Sequence, residues 1–254
     1  MAAPWSTGRA GGVFIAGPPI IVSPGFSVYE ESDQDHGHKY GDICKVGNRL
    51  FAFAKNGAVA LAAGKMCQGP AGVANHLNCA VNTAAVVGAT EVKVTLGATA
   101  ATANQYTNGY LHVNDVDGEG QTLRIKSHPA ADASASLTVT TYDPLVVALT
   151  TSSEATLSYD PCQGVVIAPN GGLTNVCVGV PLKAVTASYY CWLAIYGPTA
   201  VLTQGTAVVG QPVGLGGTAD GACGPVAADT TDIWGRVIRV NASTEYSLIH
   251  LTLL

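Results

Sequence analysis

The sequence predicts an all-β protein with one or two β-barrel or sandwich-like domains and an extended N-terminal arm. From Gly41 onward, short β-prone runs are separated by turn residues at intervals of roughly 8–12 positions, a spacing typical of barrels and sandwiches. The segment Glu91–Leu96 alternates polar and apolar residues, which predicts a half-buried strand. Two stretches, 57–66 and 72–87, could be helical, but the first is better explained by a hairpin and the second lacks a charged stripe.

The predicted strands follow one another along the chain with turn residues between them. Arg49–Ala54 leads into the pair Asn56-Gly57, which is a strong hairpin signal and makes 59–63 the return strand. The acidic run 115–120 predicts a turn between two later strands. The remaining predicted strands are 110–114, 122–126, 137–141, 145–149, 155–158, 165–168, 176–180, 189–196, 200–202, 233–240 and 247–254.

Composition divides the chain into three parts. Residues 1–40 are rich in Gly, Pro and Ala and then acidic, and they show no helical or alternating period, so we expect an extended arm. Residues 41–160 are predicted to form a β domain. A boundary near Pro161–Gly164 would separate it from 161–254, which is either a second β domain or the second half of the same fold. The segment 205–228 is predicted to be a Gly-rich loop.

The arm contains an apolar stretch that imitates part of a signal peptide. It spans 11–22 and follows Arg9, but Pro18 and Pro19 interrupt it and no small-residue cleavage pattern follows. An extended arm is therefore favoured over a signal. We expect the protein to act where it is made, or to leave the cell inside a particle.

The chain carries unusually little charge. Of its 254 residues, 11% are Asp, Glu, Lys or Arg, against about 25% in typical globular proteins. Mean hydropathy is +0.28, yet no apolar run approaches the ~18 residues of a membrane helix. Such a surface favours a permanent oligomer or a lattice component, and a monomer covered by Thr, Ser, Asn and Gly is the alternative. The net charge of −5 without a basic cluster argues against binding to nucleic acid.

The seven cysteines follow no metal or redox spacing. None forms a CxxC pair, and several lie in apolar strand-like runs, as Cys177 and Cys191 do. We therefore expect buried thiols in a protein assembled in a reducing cytoplasm. One or two disulfides are the alternative.

Two acidic clusters resemble metal sites. Asp33, Asp35, His36 and His38 are close enough in sequence to converge on Zn²⁺ or Mn²⁺. They lie in a polar segment interrupted by glycine, however, where such side chains are usually solvated, and we expect no metal there.

The second cluster, 114–119, resembles the start of a calcium loop. The twelfth position counted from Asp115 is Lys126 rather than Glu, and the flanking segments are predicted strands rather than helices. An acidic hairpin turn explains this run better.

Catalytic motifs are missing from the sequence. It contains no G-x-S-x-G elbow, no H-E-x-x-H motif and no phosphate-binding loop. We predict a structural protein without a cofactor rather than an enzyme, and an all-β hydrolase or lyase is the least supported alternative.

One aromatic cluster stands out in the second half. Alternation places Tyr190, Trp192 and Tyr196 on one face of a predicted strand. An exposed row of this kind binds carbohydrate, whereas a buried row belongs to a core or a subunit contact. Because the intervening residues are also apolar, core or interface is favoured.

Seven segments share a pattern of β-prone runs and turns. They are Thr102–Tyr106, Gly109–Asp115, Gly118–Gln121, Arg124–Ile125, 145–153, 164–169 and 190–202. Together they resemble virion structural proteins encoded beside the capsid genes of tailed bacteriophages, in particular capsid decoration (cement) proteins. The resemblance covers about residues 41–205 and implies a β-rich protein on the outer surface of an icosahedral head, often as a homotrimer. It implies contacts with the major capsid protein and with copies of itself, and no catalytic, cofactor, nucleic-acid or membrane site.

The predicted interface combines the arm with the aromatic cluster. An apolar, Pro- and Gly-rich arm is suited to lying extended in a groove of a neighbour or adding to a sheet edge. A glycan-binding fibre or adhesin-type module of a virion is the alternative function. The predicted interface residues are Phe14, Ile15, Ile20, Ile21, Tyr190, Trp192 and Tyr196.

Overall fold

The structure is a computed structural model that describes residues 22–216, 218–226 and 233–253. The all-β prediction is confirmed: these residues form 17 strands and a single 3-10 turn at Ala74–His76. The strands are β1 (Glu31–Ser32), β2 (Ile43–Val46), β3 (Arg49–Asn56), β4 (Cys67–Gln68), β5 (Cys79–Thr83), β6 (Glu91–Thr95), β7 (Tyr110–Asp115), β8 (Thr122–Ser127), β9 (Ser136–Thr141), β10 (Glu154–Ser158), β11 (Gln163–Ile167), β12 (Cys177–Pro181), β13 (Tyr190–Leu202), β14 (Pro212–Leu215), β15 (Cys223–Pro225), β16 (Gly235–Arg239) and β17 (Tyr246–Thr252).

The first lobe is a closed antiparallel barrel of six strands, which we call the barrel lobe. Its strands follow the order β10-β5-β6-β9-β8-β7, so every strand edge is paired. Alternation fills the interior, as in β6, where Val92 and Val94 are fully buried between exposed neighbours. The core also contains Leu111, Ile125 and Leu137.

The second lobe is an 11-stranded sheet, which we call the ring lobe because part of it closes on itself. Strands β13, β12, β4, β11 and β3 pair in sequence, and β3 pairs again with β13. All five contribute side chains to one core cluster, which therefore lies inside the ring. Strand β2 extends the sheet from β3, and β17, β16, β14 and β15 extend it from β13.

The strand pairing groups the chain differently from the predicted division into 41–160 and 161–254. Strands β2, β3 and β4 belong to the ring lobe, where β3 and β4 pair with strands from the second half of the chain and β2 pairs with β3. The barrel lobe, 79–158, is thus inserted between β4 and β11. The grouping depends on contacts between residues about 100 or more positions apart, which local patterns do not encode.

The predicted hairpin at Asn56-Gly57 is wrong. Asn56 is buried, and its side-chain amide donates hydrogen bonds to the carbonyl oxygens of Val185 (3.2 Å) and Thr186 (2.9 Å). The chain therefore continues past β3 toward the 185–189 turn instead of folding back. In the expected return strand, only Leu61 forms a bridge, and it does so with Val185.

Two further predictions differ from the structure. The segment 145–149 is a loop with one isolated bridge, from Leu149 to Ala85, rather than a strand. The Gly-rich segment 205–228 contains β14 and β15, which pair with each other. In both places the pairing partner, not the local composition, decides the structure.

The described part of the N-terminal arm, 22–40, packs on the outer face of the ring lobe. Val22 and Phe26 are partly buried against its core, and Val28 is buried in it. Strand β1 pairs with the start of β13. The predicted interface residues Phe14, Ile15, Ile20 and Ile21 lie outside the described residues.

Candidate assembly surface

The aromatic cluster of β13 is divided between the core and the surface. Trp192 is buried, and Tyr190 is partly buried and stacks on Phe53, with ring centroids 5.6 Å apart and planes 11° apart. Tyr196 is 38% exposed. The three residues therefore do not form one row, contrary to the prediction from alternation.

A register shift explains this division. The pairing of β13 with β3 is irregular between Ala194 and Tyr196. Before the shift, Trp192 and Ala194 face the outer core of the ring lobe; beyond it, Val201 faces the same core. Even-numbered residues face this core before the shift and odd-numbered residues face it afterwards, so Tyr196 and Ala200 point to the outside. A bulge of this kind leaves no clear signal in the sequence.

Tyr196 belongs to an exposed surface formed by β13, β17 and β16. Cross-strand pairing places Ala200 opposite Leu248, and the rings of Tyr196 and His250 meet edge to face with centroids 5.1 Å apart. On β16, the exposed Arg236 and Arg239 pair with His250 and Leu248 and lie on the same face. We call this surface the assembly face, and its members are Tyr196, Ala200, Arg236, Ile238, Arg239, Tyr246, Leu248 and His250.

A cavity of about 360 Å³ adjoins the assembly face. It is lined by Ala63, Gly64, Pro181, Leu182, Ala200 and Tyr246.

Gly64 allows this cavity to form. Its φ is +68°, and a Cβ atom there would lie 2.5 Å from a ring carbon of Tyr246. The N–H of Gly64 donates a hydrogen bond to the carbonyl oxygen of Pro181, and its carbonyl oxygen accepts one from the N–H of Leu202, at 2.8 Å each. The loop is thereby fixed beneath Tyr246, and the cavity extends the assembly face with apolar, uncharged walls.

A second, polar cleft of about 440 Å³ lies where the arm meets the barrel lobe. Asp160 is buried there, and its Oδ1 accepts a hydrogen bond from the backbone N–H of Cys162 at 2.9 Å. Burial raises the pKa of Asp160, against the opposing effects of that hydrogen bond and of Arg124. Burial also raises the pKa of Tyr40, helped by its contact with Tyr190. Lys39 and Arg124 balance Asp42 and Asp160, so the charges of the lining side chains cancel.

The residues of the cluster that resembles a Zn²⁺ or Mn²⁺ site, Asp33, Asp35, His36 and His38, do not converge. His36 bonds to Ser32 (2.8 Å) and packs near Phe26. The His38 ring instead lies beside Phe53 and Trp192, with centroids 5.1 and 5.2 Å away. Within the described ranges, no group of three His, Cys, Asp or Glu residues is placed to hold a metal ion. His38 thus contributes to packing of the arm.

The acidic run at 115–119 forms the turn between β7 and β8. Asp115 Oδ1 accepts a hydrogen bond from the N–H of Val116 (2.9 Å), and Asp117 Oδ2 accepts one from Thr150 Oγ1 (2.9 Å). Val116 has a φ of +63°. The carboxylate of Asp115 is therefore occupied within the turn, and that of Asp117 by the segment that begins at Thr150.

All seven cysteines are thiols. Cys67, Cys162 and Cys191 lie together in the ring interior. Burial raises the pKa of Cys162 and Cys191 to about 12 and that of Cys67 well above its usual value. These thiols stay protonated near neutral pH and are poor nucleophiles there.

No protein-family model matches this chain, and no curated protein or solved structure matches it either. Among the described residues, none belongs to a helix long and apolar enough to cross a bilayer.

Proposed function

We propose that this chain is a structural virion protein that decorates and cements the outer surface of a tailed-phage head through multivalent contacts. The observation that carries the proposal is the assembly face with its adjoining apolar cavity. Large apolar side chains at partial exposure, gathered on one sheet face, mark interaction surfaces in soluble proteins. The resemblance of residues 41–205 to decoration proteins supplies the identity of the partner, the major capsid protein.

The chemistry of the assembly face suits such a role. Its apolar and aromatic side chains are accompanied by His250, Arg236 and Arg239, so docking would desolvate the two arginines unless the partner supplies acidic or hydrogen-bonding groups opposite them. Each Å² of apolar area removed from water stabilises a complex by about 25 cal/mol. Repeated over several linked copies, modest contacts of this kind add up to firm attachment.

The arm contributes in two parts. Val28 and Pro24 hold the described segment on the ring lobe. A deletion of 1–29 would therefore remove core residues, and a deletion of 1–21 is the appropriate test of the arm. We expect this truncated chain to keep its fold and to bind heads more weakly.

Co-sedimentation with heads assembled from the same genome tests the proposal. We expect wild-type protein to sediment with expanded, DNA-filled heads and Leu248→Asp to bind at least about tenfold more weakly, because a charge would be buried at the contact. The matched control is Val59→Asp, which places the same charge on an exposed valine in the turn after β3. Wild-type protein that stays in the supernatant, or equal losses in both variants, would contradict the proposal.

The alternative of a glycan-binding module depended on an exposed Tyr and Trp row. Trp192 is buried and Tyr190 stacks on Phe53, so this row is not available on β13. A glycan array remains the direct test of that alternative, and reproducible hits would favour it over the decoration role.

A further inference from the structure

Two buried histidines of the barrel lobe contact the same tyrosine. Tyr106 lies in the loop 101–109, which we call the latch loop, and its ring is fully buried in the barrel core. The ring of His76 meets it edge to face with centroids 5.6 Å apart, and that of His128 lies 5.8 Å away. These rings close the end of the barrel at which β5 begins and β10 ends, where the chain connects to the ring lobe.

The hydrogen bonds of His128 fix its protonation state. Its Nε2 accepts a hydrogen bond from the backbone N–H of Tyr106 at 3.0 Å, so this nitrogen carries no proton. Its Nδ1 lies 2.8 Å from the carbonyl oxygen of Pro129, which only accepts, so Nδ1 carries the single proton of a neutral imidazole. A backbone N–H cannot become an acceptor. The bond to Tyr106 is therefore lost when His128 gains a second proton.

His76 differs because it binds the tyrosine through a hydroxyl, which can rotate. Its Nε2 donates to the carbonyl oxygen of Thr99 at 2.9 Å, so its Nδ1 accepts from the Tyr106 hydroxyl. A protonated Nδ1 can donate to that hydroxyl oxygen instead, once the O–H turns away. Of the two histidines, His128 is thus the one whose charged form is incompatible with the closed arrangement.

His128 also holds the latch loop through its backbone. Its N–H donates to Asn104 Oδ1 (3.1 Å), and its carbonyl oxygen accepts from the Asn104 N–H (3.0 Å). The next residue, Gln105, reaches beyond the barrel: its Nε2 donates to Tyr159 Oη at 2.6 Å. Its carbonyl oxygen accepts a hydrogen bond from Gln163 Nε2, on β11 of the ring lobe, at 3.4 Å. The latch loop therefore connects His128 to the junction between the lobes.

Burial makes the charged form of His128 unfavourable while the latch loop is closed. Desolvation lowers the pKa of His128, the bond to the Pro129 carbonyl oxygen opposes this effect, and the neighbouring His76 adds to it. An exposed histidine ionises near pH 6.5. Protons therefore bind the open loop more tightly than the closed one, and opening becomes more favourable as the pH falls below about 6.5.

The groups that surround His128 offer little compensation for a positive charge. The titratable groups recorded around Tyr106 include Tyr159, whose ring centroid lies 4.8 Å away, and Cys79. Arg124 brings a further positive charge to the latch loop, where its Nε donates to a carbonyl oxygen at 3.4 Å. In the part of the chain that the structure describes, no carboxylate forms an ion pair or a hydrogen bond with either buried imidazole.

We propose that His128 is an acid-sensitive latch, whose protonation breaks the hydrogen bond to Tyr106 and releases the latch loop from the end of the barrel. The released loop also loses its contacts with Tyr159 and Gln163, so the junction between the two lobes becomes looser. This device goes beyond attachment to a phage head. It is measured on the free chain, so it can fail while the proposed attachment stands.

Hydrogen exchange of the full chain at about pH 7.5 and about pH 4.5 tests the latch. After correction for the intrinsic pH dependence of exchange, we expect the protection of amides 101–109 to fall at least about fivefold relative to amides of β6. His128→Gln should remove this response, because the glutamine carbonyl can accept the Tyr106 N–H and does not titrate. The matched control is His76→Gln, which should respond to pH like wild type.

A nuclear magnetic resonance titration of the wild-type imidazole nitrogens tests the same point without a substitution. We expect His128 in the Nδ1–H form at neutral pH, and its protonation should coincide with the loss of protection in the latch loop. Equal protection of the wild-type loop at the two pH values, an Nε2–H form of His128, or a His128→Gln chain as sensitive to pH as wild type overturns the inference. A response that disappears in His76→Gln alone would assign the effect to His76 and would also contradict it.

Discussion

The indole Nε1 of Trp192 donates a hydrogen bond to the carbonyl oxygen of Pro24 at 2.9 Å, joining β13 to an arm 168 residues away in sequence. The centroid of the same indole lies 5.2 Å from the ring centroids of both Phe53 and His38. Trp192 thereby forms part of the surface on which the arm packs, and this packing buries its ring. The contact attaches residues 22–40 together with the pairing of β1 and β13 and the burial of Val28.

Replacing Trp192 by Phe should loosen the arm. The variant loses the bond to Pro24, worth about 1 kcal/mol, and some packing. We expect faster hydrogen exchange across 22–40. The control is Trp234→Phe, because Trp234 is equally buried but its Nε1 has no hydrogen-bond partner among the residues that the structure describes. Equal hydrogen exchange across residues 22–40 in the two variants would show that the hydrogen bond to Pro24 does not hold the arm.

Gln121→Met should destabilise the 144–149 loop. The change removes the four hydrogen bonds of the buried amide, and we expect a loss of about 2 kcal/mol in the free energy of unfolding, with rapid exchange of the Val146 and Val147 amides. Gln211→Met is the control, since the side chain of Gln211 holds the Val208 amide by one bond at 3.0 Å. A Gln121 variant as stable as the control would contradict the role given to this amide.

Asp160→Asn should stabilise the protein at neutral pH. Burial raises the pKa of Asp160 in the folded state above its unfolded value, so the ionised group costs stability once the pH exceeds the folded pKa. Below the unfolded pKa both states are protonated and the cost vanishes. Urea unfolding at pH 7 and pH 3 should show a gain at pH 7 that disappears at pH 3. Asp132→Asn, which changes an exposed carboxylate, is the control and should leave the stability unchanged. A loss of stability at pH 7 in Asp160→Asn would contradict this prediction.

The buried thiols should make the fold sensitive to alkaline pH. Burial raises the pKa of Cys223 to about 12, whereas an unfolded thiol ionises near pH 9. The stability that the buried Cys223 thiol contributes is therefore fully present below about pH 9 and is lost as the pH rises toward 12. We expect a shallower decline of unfolding free energy over this range in Cys223→Ala than in wild type, at equal salt. Parallel declines would indicate that Cys223 does not contribute.

Local patterns in the sequence predicted five of the six strands of the barrel lobe and missed β5, which lies in the Ala-rich stretch 72–87. Alternation located β6, and the acidic run before Gly120 located the turn between β7 and β8. These features depend on residues near each other in the chain.

Features that depend on distant partners could not be predicted in this way. The Asn56-Gly57 pair has the composition of a hairpin, but the amide of Asn56 is used by a turn about 130 residues later. The closure of the ring by β3 and β13 and the parity change before Tyr196 have the same origin. Of the three residues in the predicted aromatic row, Tyr196 is the member that is more than one-third exposed.

The proposed binding of this chain to the outer surface of a phage head is tested most directly by cryo-electron microscopy. The comparison is between heads assembled with and without the chain, from the genome that encodes it. The decoration role predicts added density outside the shell that fits the barrel and ring lobes, with the assembly face toward the capsid. Heads that are identical in the two maps, or density confined to the tail, would contradict it.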